Sequence, residues 1–340
     1  MIRHSLITGP FDFEAGGRLD SLEVVYHTAG PRNGKVIWIC HALTANSDVE
    51  VWWPQLVGPG RPVDTDRFFV VCVGMLGSAY SAAGPASTDP ATGKPYYFDF
   101  PAVTIRDMVH ASILVRKHLG IKQVDFIIGS SIGGFQAVEW AITEPEVIRR
   151  ALFMATAPRI SPWATALNES QRMALEADPS FRACSDLSGG AAGLKCARAQ
   201  ALLSYRSYEG YCRTQPETDP DTLWADRAGS YQRYQGEKLV RRAFDAYSYY
   251  YLTKALDSHN VGRGRGGVAA ALGCIRAETT VVGITTDGLF PVSEVRAMAL
   301  HIPGADYREI TSDFGHDGFL LENDQLIAIL QPILDNVCKY

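Results

Sequence analysis

The stretch "VDFIIGSSIGGFQAVEW", residues 124–140, decides the fold because it places Gly129, Ser131 and Gly133 in a G-x-S-x-G pattern between an apolar run and a helical segment. In a strand, elbow and helix arrangement the nucleophile occupies a strained turn, and its neighbours must be small so that adjacent backbones can approach. The N-terminus of the following helix favours negative charge on an attacked carbonyl oxygen. The stretch therefore predicts a nucleophilic serine at position 131.

Further short apolar runs predict strands of a parallel sheet that is buried on both faces. These runs are KVIWIC (35–40), RFFVVCVG (67–74), QVDFIIG (123–129), RALFMATA (150–157) and TTVVGIT (279–285). Between them, residues 104–120 predict a helix, with Thr104 and Asp107 spaced as a capping box and Gly120 as a C-terminal signal. The alternation of strands and helices predicts α/β architecture.

The middle of the chain changes in character. Residues 158–273 are helical in pattern, rich in aromatic residues and free of strand runs, which predicts a helical lid inserted between core segments 1–157 and 274–340. The run GRGRGG (262–267) satisfies the dinucleotide-binding pattern G-x-G-x-x-G, but a predicted helix precedes it where such a site requires a strand. We interpret this run as a flexible connector.

The charge and the cysteine content of the chain exclude several classes of binding partner. A formal charge of −5 and a pI near 5.9 give no basic surface for nucleic acid or an acidic membrane. The seven scattered cysteines contain no CxxC pair, so we expect reduced thiols rather than disulfides or a zinc site. The sequence has no signal peptide and no apolar run long enough to span a bilayer, and it predicts a cytoplasmic protein that acts on small molecules.

A serine nucleophile needs a positioned base, and three late histidines are candidates. His259 falls in the predicted lid and His301 ends an amphipathic helix. His316 lies in the loop SDFGHDGFL, between a strand-like segment and a C-terminal helix. His316 is therefore the predicted base.

The base needs a carboxylate that orients it, and this acid comes between serine and histidine in the chain order of such folds. Asp287 directly follows the apolar run of VVGITTDGLFP. Asp313 and Asp306 are alternatives, but both lie too near His316 in sequence to come from a separate strand. We predict that Asp287 completes the triad.

The oxyanion formed during acyl transfer needs two backbone N–H donors. One is predicted at Ile132, directly after the nucleophile, and the other at Leu43, in the small-residue loop WICHALTAN after the first apolar run. His41 in that loop is interpreted as structural. No metal site is predicted, because the spacings of His and Cys match no ligand pattern.

With these residues placed, the chain resembles the homoserine O-acetyltransferase family of α/β-hydrolase-fold acyltransferases. The resemblance extends from about residue 10 to residue 325. It rests on HALT (41–44), GPASTDPATGKPYYFDFPAVTIRDMV (84–109), GSSIGGFQAVEWA, ARAQALLSYRS (197–207), GRGRGG, TDGLFP and GHDGFL. It implies an α/β-hydrolase fold and a ping-pong transfer from acetyl-CoA, a co-substrate, to homoserine in methionine biosynthesis. No permanently bound cofactor is implied.

The resemblance also implies roles for individual residues. Ser131, Asp287 and His316 correspond to the catalytic triad. Arg198 resembles the residue that holds the carboxylate of the amino acid, Tyr205 lies near it on the same helix, and Asp317 resembles the residue that holds the ammonium group. An arginine and a carboxylate together can orient a free amino acid, which carries both charges on one carbon. A surface position for Arg198 and a helix N-cap for Asp317 are the alternatives.

Donor, acceptor and assembly stay open at this stage. The segment VGMLGSAYSAAGP (73–85) lacks the Gly-Gly-Cys and Gly-Ser/Thr-Thr-Gly-Pro runs usual in the family, and HALTANSDVEVWW (41–53) lacks the usual glycine and aspartate. Succinyl-CoA as donor, serine as acceptor, or an esterase that uses water are the alternatives. The resemblance favours a homodimer through the lid helices, where Tyr247 and residues 249–251, all tyrosines, form an interface or line the pocket.

Overall fold

A computed structural model describes residues 1–339 of the chain. Twelve strands are present in this range: β1 Ile2–Ile7, β2 Phe11–Asp12, β3 Arg18–Leu19, β4 Glu23–Ala29, β5 Val36–Cys40, β6 Val57–Gly58, β7 Val63–Asp64, β8 Phe69–Val73, β9 Phe126–Ser130, β10 Arg150–Met154, β11 Glu278–Ile284 and β12 Asp306–Ile310. Eight of them form one sheet in the order β1-β4-β8-β5-β9-β10-β11-β12. The remaining four form two small two-stranded sheets.

The same range contains twelve α-helices. They are α1 Val49–Trp52, α2 Ile105–His118, α3 Ile132–Thr143, α4 Pro162–Glu176, α5 Ala191–Tyr205, α6 Tyr208–Thr214, α7 Arg227–Arg241, α8 Ala246–Asp257, α9 Val268–Leu272, α10 Val292–Ala299, α11 Gly318–Leu321 and α12 Asn323–Lys339. None of the helices in residues 1–339 is both long enough and apolar enough to cross a membrane.

The large sheet is mostly parallel, as the sequence predicts. From β8 to β12 every neighbouring pair of strands is parallel, whereas β1 pairs antiparallel with β4 and β4 pairs antiparallel with β8. All five apolar runs form strands of this sheet. The carboxyl ends of the parallel strands therefore meet at one edge, where folds of this class bind ligands.

Both faces of the sheet are buried, and one strand shows this directly. Along β5, Val36, Trp38 and Cys40 belong to one hydrophobic core, and Ile37 and Ile39 belong to another. All five side chains are at most 8% exposed. Because successive residues of a strand face opposite sides, the run VIWIC packs against helices on both faces of the sheet.

The helix predicted over residues 104–120 forms as α2, and its start is a capping box. The Thr104 N–H donates to Asp107 Oδ2 at 2.8 Å, and the Asp107 N–H donates to Thr104 Oγ1 at 3.3 Å. The helix ends at His118, and Gly120 follows with a positive φ of 70°, a conformation that glycine adopts without strain. The local signals of the sequence thus fix both ends of this helix.

Residues 158–273 contain only helices among their regular elements, α4 to α9, together with one isolated bridge between Arg159 and Asn260. The division of the chain into core and lid at residues 157 and 273 stays a prediction. Three of the four tyrosines of α8 are buried. Tyr247 and Tyr249 are 0% exposed and Tyr251 is 8% exposed, so these rings pack inside the chain, whereas Tyr250 is partly exposed.

The GRGRGG run is anchored by ion pairs, which the interpretation as a flexible connector did not include. Arg265 Nη1 lies 2.8 Å from Oε2 of Glu139, a side chain of α3 that is only 2% exposed. Arg263 Nη2 lies 3.0 Å from Oε2 of Glu14. Helix α8 precedes the run, as expected, and the two arginines tie it to the core.

Candidate active site

Ser131 stands in a sharp turn between β9 and α3. Its backbone has φ 57° and ψ −128°, a conformation that residues with a side chain rarely adopt. Hydrogen bonds hold this turn from the neighbouring strand: the Ser131 N–H donates to the Met154 carbonyl at 3.1 Å, and Thr156 Oγ1 donates to the Ser131 carbonyl at 3.0 Å. The turn therefore has the strained backbone and the support expected of a nucleophile elbow.

The glycines around Ser131 are required by close contacts within the elbow and with the segments beside it. A Cβ atom on Gly129 would lie 2.3 Å from the Gly133 carbonyl oxygen, and one on Gly133 would lie 2.1 Å from the Cys40 carbonyl oxygen. A Cβ atom on Gly134 would lie 2.5 Å from the side chain of Thr156. The elbow can thus pack against β5 and β10 only when these positions carry no side chain.

His316 and Asp287, 29 residues apart in sequence, are joined by a hydrogen bond. His316 Nδ1 lies 2.8 Å from Asp287 Oδ2, and the two residues are 3% and 5% exposed. The other carboxylate oxygen, Oδ1, accepts the N–H groups of Leu289 and Phe290 at 2.8 and 2.9 Å. Because Nδ1 donates to a fixed carboxylate, Nε2 is left as the nitrogen that can accept a proton.

The charge of His316 is set by two opposing effects. Burial disfavours the imidazolium, but the charge and the hydrogen bond of Asp287, together with the charge of Asp317, outweigh it and raise the pKa of His316 above its ordinary value. The site therefore stabilises a proton on the imidazole, which is the state that a general base enters after it removes a proton.

The other candidates for base and acid have separate surroundings. His259 is buried and stacks on Phe135 with ring centroids 3.8 Å apart, and burial lowers the pKa of His259 to about 3. His301 is exposed beyond α10. Asp313 forms an ion pair with Arg213 of α6. Asp306 forms one with Arg308, two residues later in β12. Among the candidates weighed, Asp287 and His316 alone are brought together by a hydrogen bond.

The loop after β5 carries Leu43, and His41 fixes its shape. The Met75 N–H donates to His41 Nε2 at 3.0 Å, so this nitrogen carries no proton, and His41 Nδ1 donates to the Ala42 carbonyl at 2.9 Å. The carbonyl and the N–H of one trans peptide point in opposite directions. By holding the Ala42 carbonyl, His41 therefore also fixes the direction of the Leu43 N–H.

Ser131 borders two cavities. A small one of about 20 Å³ is lined by Ser131, both predicted oxyanion donors, and residues from or next to α4, α5, α8 and the Asp287 loop. Its lining comprises Leu43, Ser131, Ile132, Ile160, Ala164, Leu167, Asn168, Gln171, Ser204, Tyr205, Leu256, Leu289 and Phe290. A larger one of about 170 Å³ is lined by Ser131 and His316 and reaches the surface beside Trp52, Leu320 and Arg242. We call the first the inner cavity and the second the outer cavity.

The predicted substrate-binding residues line the outer cavity. Arg198 and Tyr205 of α5 both contribute to its wall, and the Arg198 guanidinium lies 5.4 Å from the centroid of the Tyr205 ring. The Tyr205 ring in turn lies 5.7 Å from the imidazole of His316. Arg198 is only partly exposed and faces this cavity, so it is not merely a residue of the outer helix surface.

Asp317 also lines the outer cavity, and it is already paired. Its Oδ2 lies 2.9 Å from Nε of Arg206, a residue that sequence analysis did not single out. Burial raises the pKa of Asp317, and the charges of Arg206 and Arg198 oppose this effect. Asp317 precedes α11 but makes no capping hydrogen bond with its side chain, which leaves the carboxylate directed at the arginines. The adjacency of Arg206 to Tyr205 is the signal that could have identified it.

Comparison with known proteins assigns the fold first. Residues 35–323 match the family model described as the alpha/beta hydrolase fold, so the chain is an α/β hydrolase by fold. A homoserine O-acetyltransferase of Cyclobacterium marinum is 40% identical over 321 residues, which cover 94% of this chain and 91% of that protein. The chain belongs to the homoserine O-acetyltransferase family.

Solved structures give the same fold over nearly the whole chain. The homoserine O-acetyltransferase of Staphylococcus aureus superposes with a TM-score of 0.80 at 28% identity, covering 98% of this chain and 95% of that one. The acetyl esterase MekB superposes with a TM-score of 0.85 at 25% identity, covering 98% and 97%. Transferases and esterases thus share this architecture, and the fold alone does not identify the acyl acceptor.

The electrostatics of His316 can be tested without reference to catalysis. In Asp287→Asn the imidazole stays buried but loses its carboxylate partner, so we predict that the pKa of His316 falls below its ordinary value and the imidazolium forms only at lower pH. Titration of the His316 ring by NMR measures this shift. Asp317→Asn is the matched control and lowers the pKa of His316 by less. A pKa unchanged in Asp287→Asn would contradict the assignment.

Proposed function

We propose that this protein transfers the acetyl group of acetyl-CoA to the hydroxyl of L-homoserine through an acetyl-Ser131 intermediate, a step of methionine biosynthesis. The observation that carries the proposal is the outer cavity, where Ser131 and His316 share one wall with Arg198 and Asp317. A site for a general ester gains nothing from two opposite charges beside the nucleophile, whereas an amino-acid acceptor requires both.

Each proton has a defined route in this mechanism. Ser131 Oγ attacks the thioester carbon while its proton moves to Nε2 of His316, and Asp287 stays ionised and holds the imidazolium. The carbon–sulfur bond then breaks, and the CoA sulfur takes the proton as it leaves. In the second half, the homoserine hydroxyl gives its proton to Nε2 of His316 and attacks the acetyl-serine carbon. The bond from that carbon to Ser131 Oγ then breaks, Oγ takes the proton back from Nε2, and O-acetylhomoserine leaves.

Two backbone donors stabilise the negative oxygen of each tetrahedral intermediate. Ile132 is the first residue of α3, so its N–H has no acceptor within that helix. Leu43 lies beside Ser131 and Ile132 in the wall of the inner cavity, and its peptide is oriented by the His41 bond to the Ala42 carbonyl. The two N–H groups form the oxyanion hole of the proposed mechanism.

The inner cavity supports an acetyl donor over a succinyl donor. At about 20 Å³ it holds roughly one water-sized group, which suits the methyl of an acetyl-serine. Its lining includes no charged side chain, whereas a succinyl group would bring a carboxylate that needs a cationic partner. The size and the neutrality of this cavity thus favour the same donor.

The acceptor is held in the outer cavity. Arg198 binds the carboxylate of homoserine, Asp317 accepts hydrogen bonds from its ammonium group, and Tyr205 packs beside both the Arg198 guanidinium and His316. Because Arg206 already pairs with Asp317, the ammonium group joins an existing ion pair, and the charges of Arg206 and Asp317 nearly cancel. Arg198 is therefore the main source of electrostatic attraction for the acceptor.

The reaction is tested by following thiol release from acetyl-CoA with and without homoserine. We predict that homoserine accelerates release and that O-acetylhomoserine accumulates, and that Ser131→Ala abolishes both. Arg198→Ala should raise the KM for homoserine about 100-fold, because it removes a charged partner from a partly buried ion pair. Lys195→Ala, an exposed cation on the same helix, is the control and leaves that KM unchanged.

If the CoA thiol is released equally fast without homoserine, the acyl acceptor is not this amino acid. In an esterase the acceptor is water. Replacement of homoserine by serine and of acetyl-CoA by succinyl-CoA in the same assay tests the remaining alternatives. Greater turnover with either replacement would overturn the corresponding half of the proposal.

The role of His41 gives a separate prediction. His41→Ala removes the donor that fixes the Ala42 carbonyl, so we expect kcat to fall about 10- to 100-fold. This fall is no larger than that caused by the complete loss of one oxyanion donor. The KM for acetyl-CoA should stay within about twofold, and His41→Gln, which retains an N–H donor, should recover part of kcat. Thermal unfolding of both variants separates this effect from lost stability. A fall in kcat that tracks only the folded fraction would contradict it.

We propose further that the protein is a cytoplasmic homodimer that associates through the helical segment 158–273. Large apolar side chains stand exposed there: Leu203 at 60%, Leu223 at 82% and Trp224 at 82%. All seven cysteines are free, which suits a reducing compartment. Light scattering after size exclusion should give twice the mass of one chain, and Trp224→Glu should shift it toward one. A wild-type mass of one chain would contradict the dimer.

A further inference from the structure

Arg242 lies at the rim of the outer cavity, in the short connection between α7 and α8. The proposed mechanism assigns this residue no role. Its side chain is exposed, and the same cavity leads from it to Ser131 and His316. A ligand that enters the outer cavity from solvent on this side therefore passes the guanidinium.

The charge of Arg242 has no carboxylate partner among residues 1–339. Its guanidinium makes a long hydrogen bond of 3.4 Å from Nη2 to the Thr44 carbonyl, and it interacts with the Tyr80 hydroxyl. The preceding residue differs, since Arg241 lies 3.7 Å from a carboxylate oxygen of Glu237. A guanidinium prefers an oxyanion that it can bind with two N–H groups, and both contacts of Arg242 are with neutral oxygens.

The backbone of Arg242 is held in place. Its N–H donates to the Lys238 carbonyl at 3.1 Å, and its carbonyl accepts the Tyr80 hydroxyl at 3.0 Å. The next residue, Ala243, has a φ of 57°, in the left-handed region that non-glycine residues rarely adopt. Tyr80 also packs edge-on against Phe244, with ring centroids 5.3 Å apart. Contacts on both sides thus fix the backbone position from which the Arg242 side chain extends.

Tyr80 belongs to the segment 73–85, which departs from the pattern usual in the family. Its hydroxyl donates to the carbonyl of Arg242, so this segment contacts the chain at the cavity mouth. The lining of the same cavity includes three large apolar side chains, Trp52, Phe319 and Leu320. An apolar wall and a free cation together suit a ligand with a hydrocarbon arm and an anionic end.

Among the substrates of the proposed function, one anionic group has no assigned partner. The acetyl group is neutral, and the carboxylate of homoserine is assigned to Arg198. The phosphates of CoA are the remaining anions, and they are also the part of the donor that stays outside while its thioester reaches Ser131. The chain carries a net charge of −5, so a free arginine at the mouth offsets an otherwise unfavourable charge for a polyanionic donor.

We propose that Arg242 binds a phosphate group of the acyl-CoA donor and that Tyr80 positions it for that contact. The inference rests on the proposed function, since it takes acetyl-CoA as the donor. It makes the mouth of the outer cavity a binding site for the donor, next to the acceptor site formed by Arg198 and Asp317.

The test compares two thioesters in thiol-release kinetics. Acetyl-CoA carries the phosphates, and S-acetyl-N-acetylcysteamine has the same thioester and the first amide without them. In Arg242→Ala we expect kcat/KM for acetyl-CoA to fall about 10- to 100-fold, with S-acetyl-N-acetylcysteamine and the KM for homoserine both within about twofold of wild type. Tyr80→Phe should give a smaller fall, again for acetyl-CoA alone. Arg241→Ala, which changes the adjacent paired arginine, is the control and leaves both thioesters unaffected.

Equal losses with the two thioesters, or a change confined to the KM for homoserine, would overturn the phosphate assignment. If the wild-type protein cleaves acetyl-CoA but transfers nothing to homoserine, the proposed acceptor is wrong, and the comparison of thioesters by hydrolysis still decides the role of Arg242. If the wild-type protein cleaves S-acetyl-N-acetylcysteamine but not acetyl-CoA, the donor site proposed here is wrong.

Discussion

The structure depends on the close packing of the elbow that holds Ser131. Gly129 is crowded by the backbone of Gly133 within the elbow, Gly133 by the backbone of β5 and Gly134 by the side chain of Thr156, so none of the three has room for a Cβ atom. This packing places the start of α3 beside the loop that carries Leu43, and it holds Ser131 in a conformation that would not persist alone. The stable sheet, buried on both faces, sustains that local strain.

The charged groups of the site lie close together because the parallel strands that precede them end at the same edge of the sheet. Asp287 comes from the loop after β11 and His316 from the loop after β12, and the pairing of these strands brings the two side chains within 2.8 Å. The same edge brings Asp317 to Arg206. Burial alone would keep the imidazole neutral, and the carboxylates reverse that preference. A proton taken from serine thus arrives at a group whose surroundings stabilise it.

The sequence predicted those helices and strands that are determined by residues close together in the chain. The capping box at Thr104 and the five buried apolar runs form where the sequence placed them. The pairing of Asp287 with His316 was also foreseen, because chain order and strand ends limit the choices. The role of every residue in the site remains a proposal. The antiparallel strands β1 and β4 were not singled out. β1 is a partly exposed edge strand, and in β4 the apolar run is interrupted by His27 and Thr28, so neither has the long apolar run of the parallel strands.

The residues that sequence analysis missed depend on contacts between distant segments. Arg206 acquires meaning only once Asp317 lies beside it, and Arg242 only once α7 ends at the cavity mouth. His41 was interpreted as structural, and its two ring nitrogens indeed join the loop after β8 to the Ala42 peptide; the partners themselves could not be read from the sequence. The tyrosines of α8 show the same dependence on tertiary contacts: the sequence left an interface and a pocket wall open, and in the structure three of the four rings fill the interior while Tyr250 is partly exposed.

The ion pairs of the GRGRGG run have a mechanical consequence. Glu139 extends from α3, the helix that begins directly after Ser131. Because its side chain is buried, solvent screens its ion pair with Arg265 only weakly. The C-terminal end of the helices that cover the cavities is therefore fastened to the nucleophile's own helix. This ion pair couples the position of residues 262–267 to that of α3, so the tilt of the nucleophile's helix and the path of the connector cannot change independently.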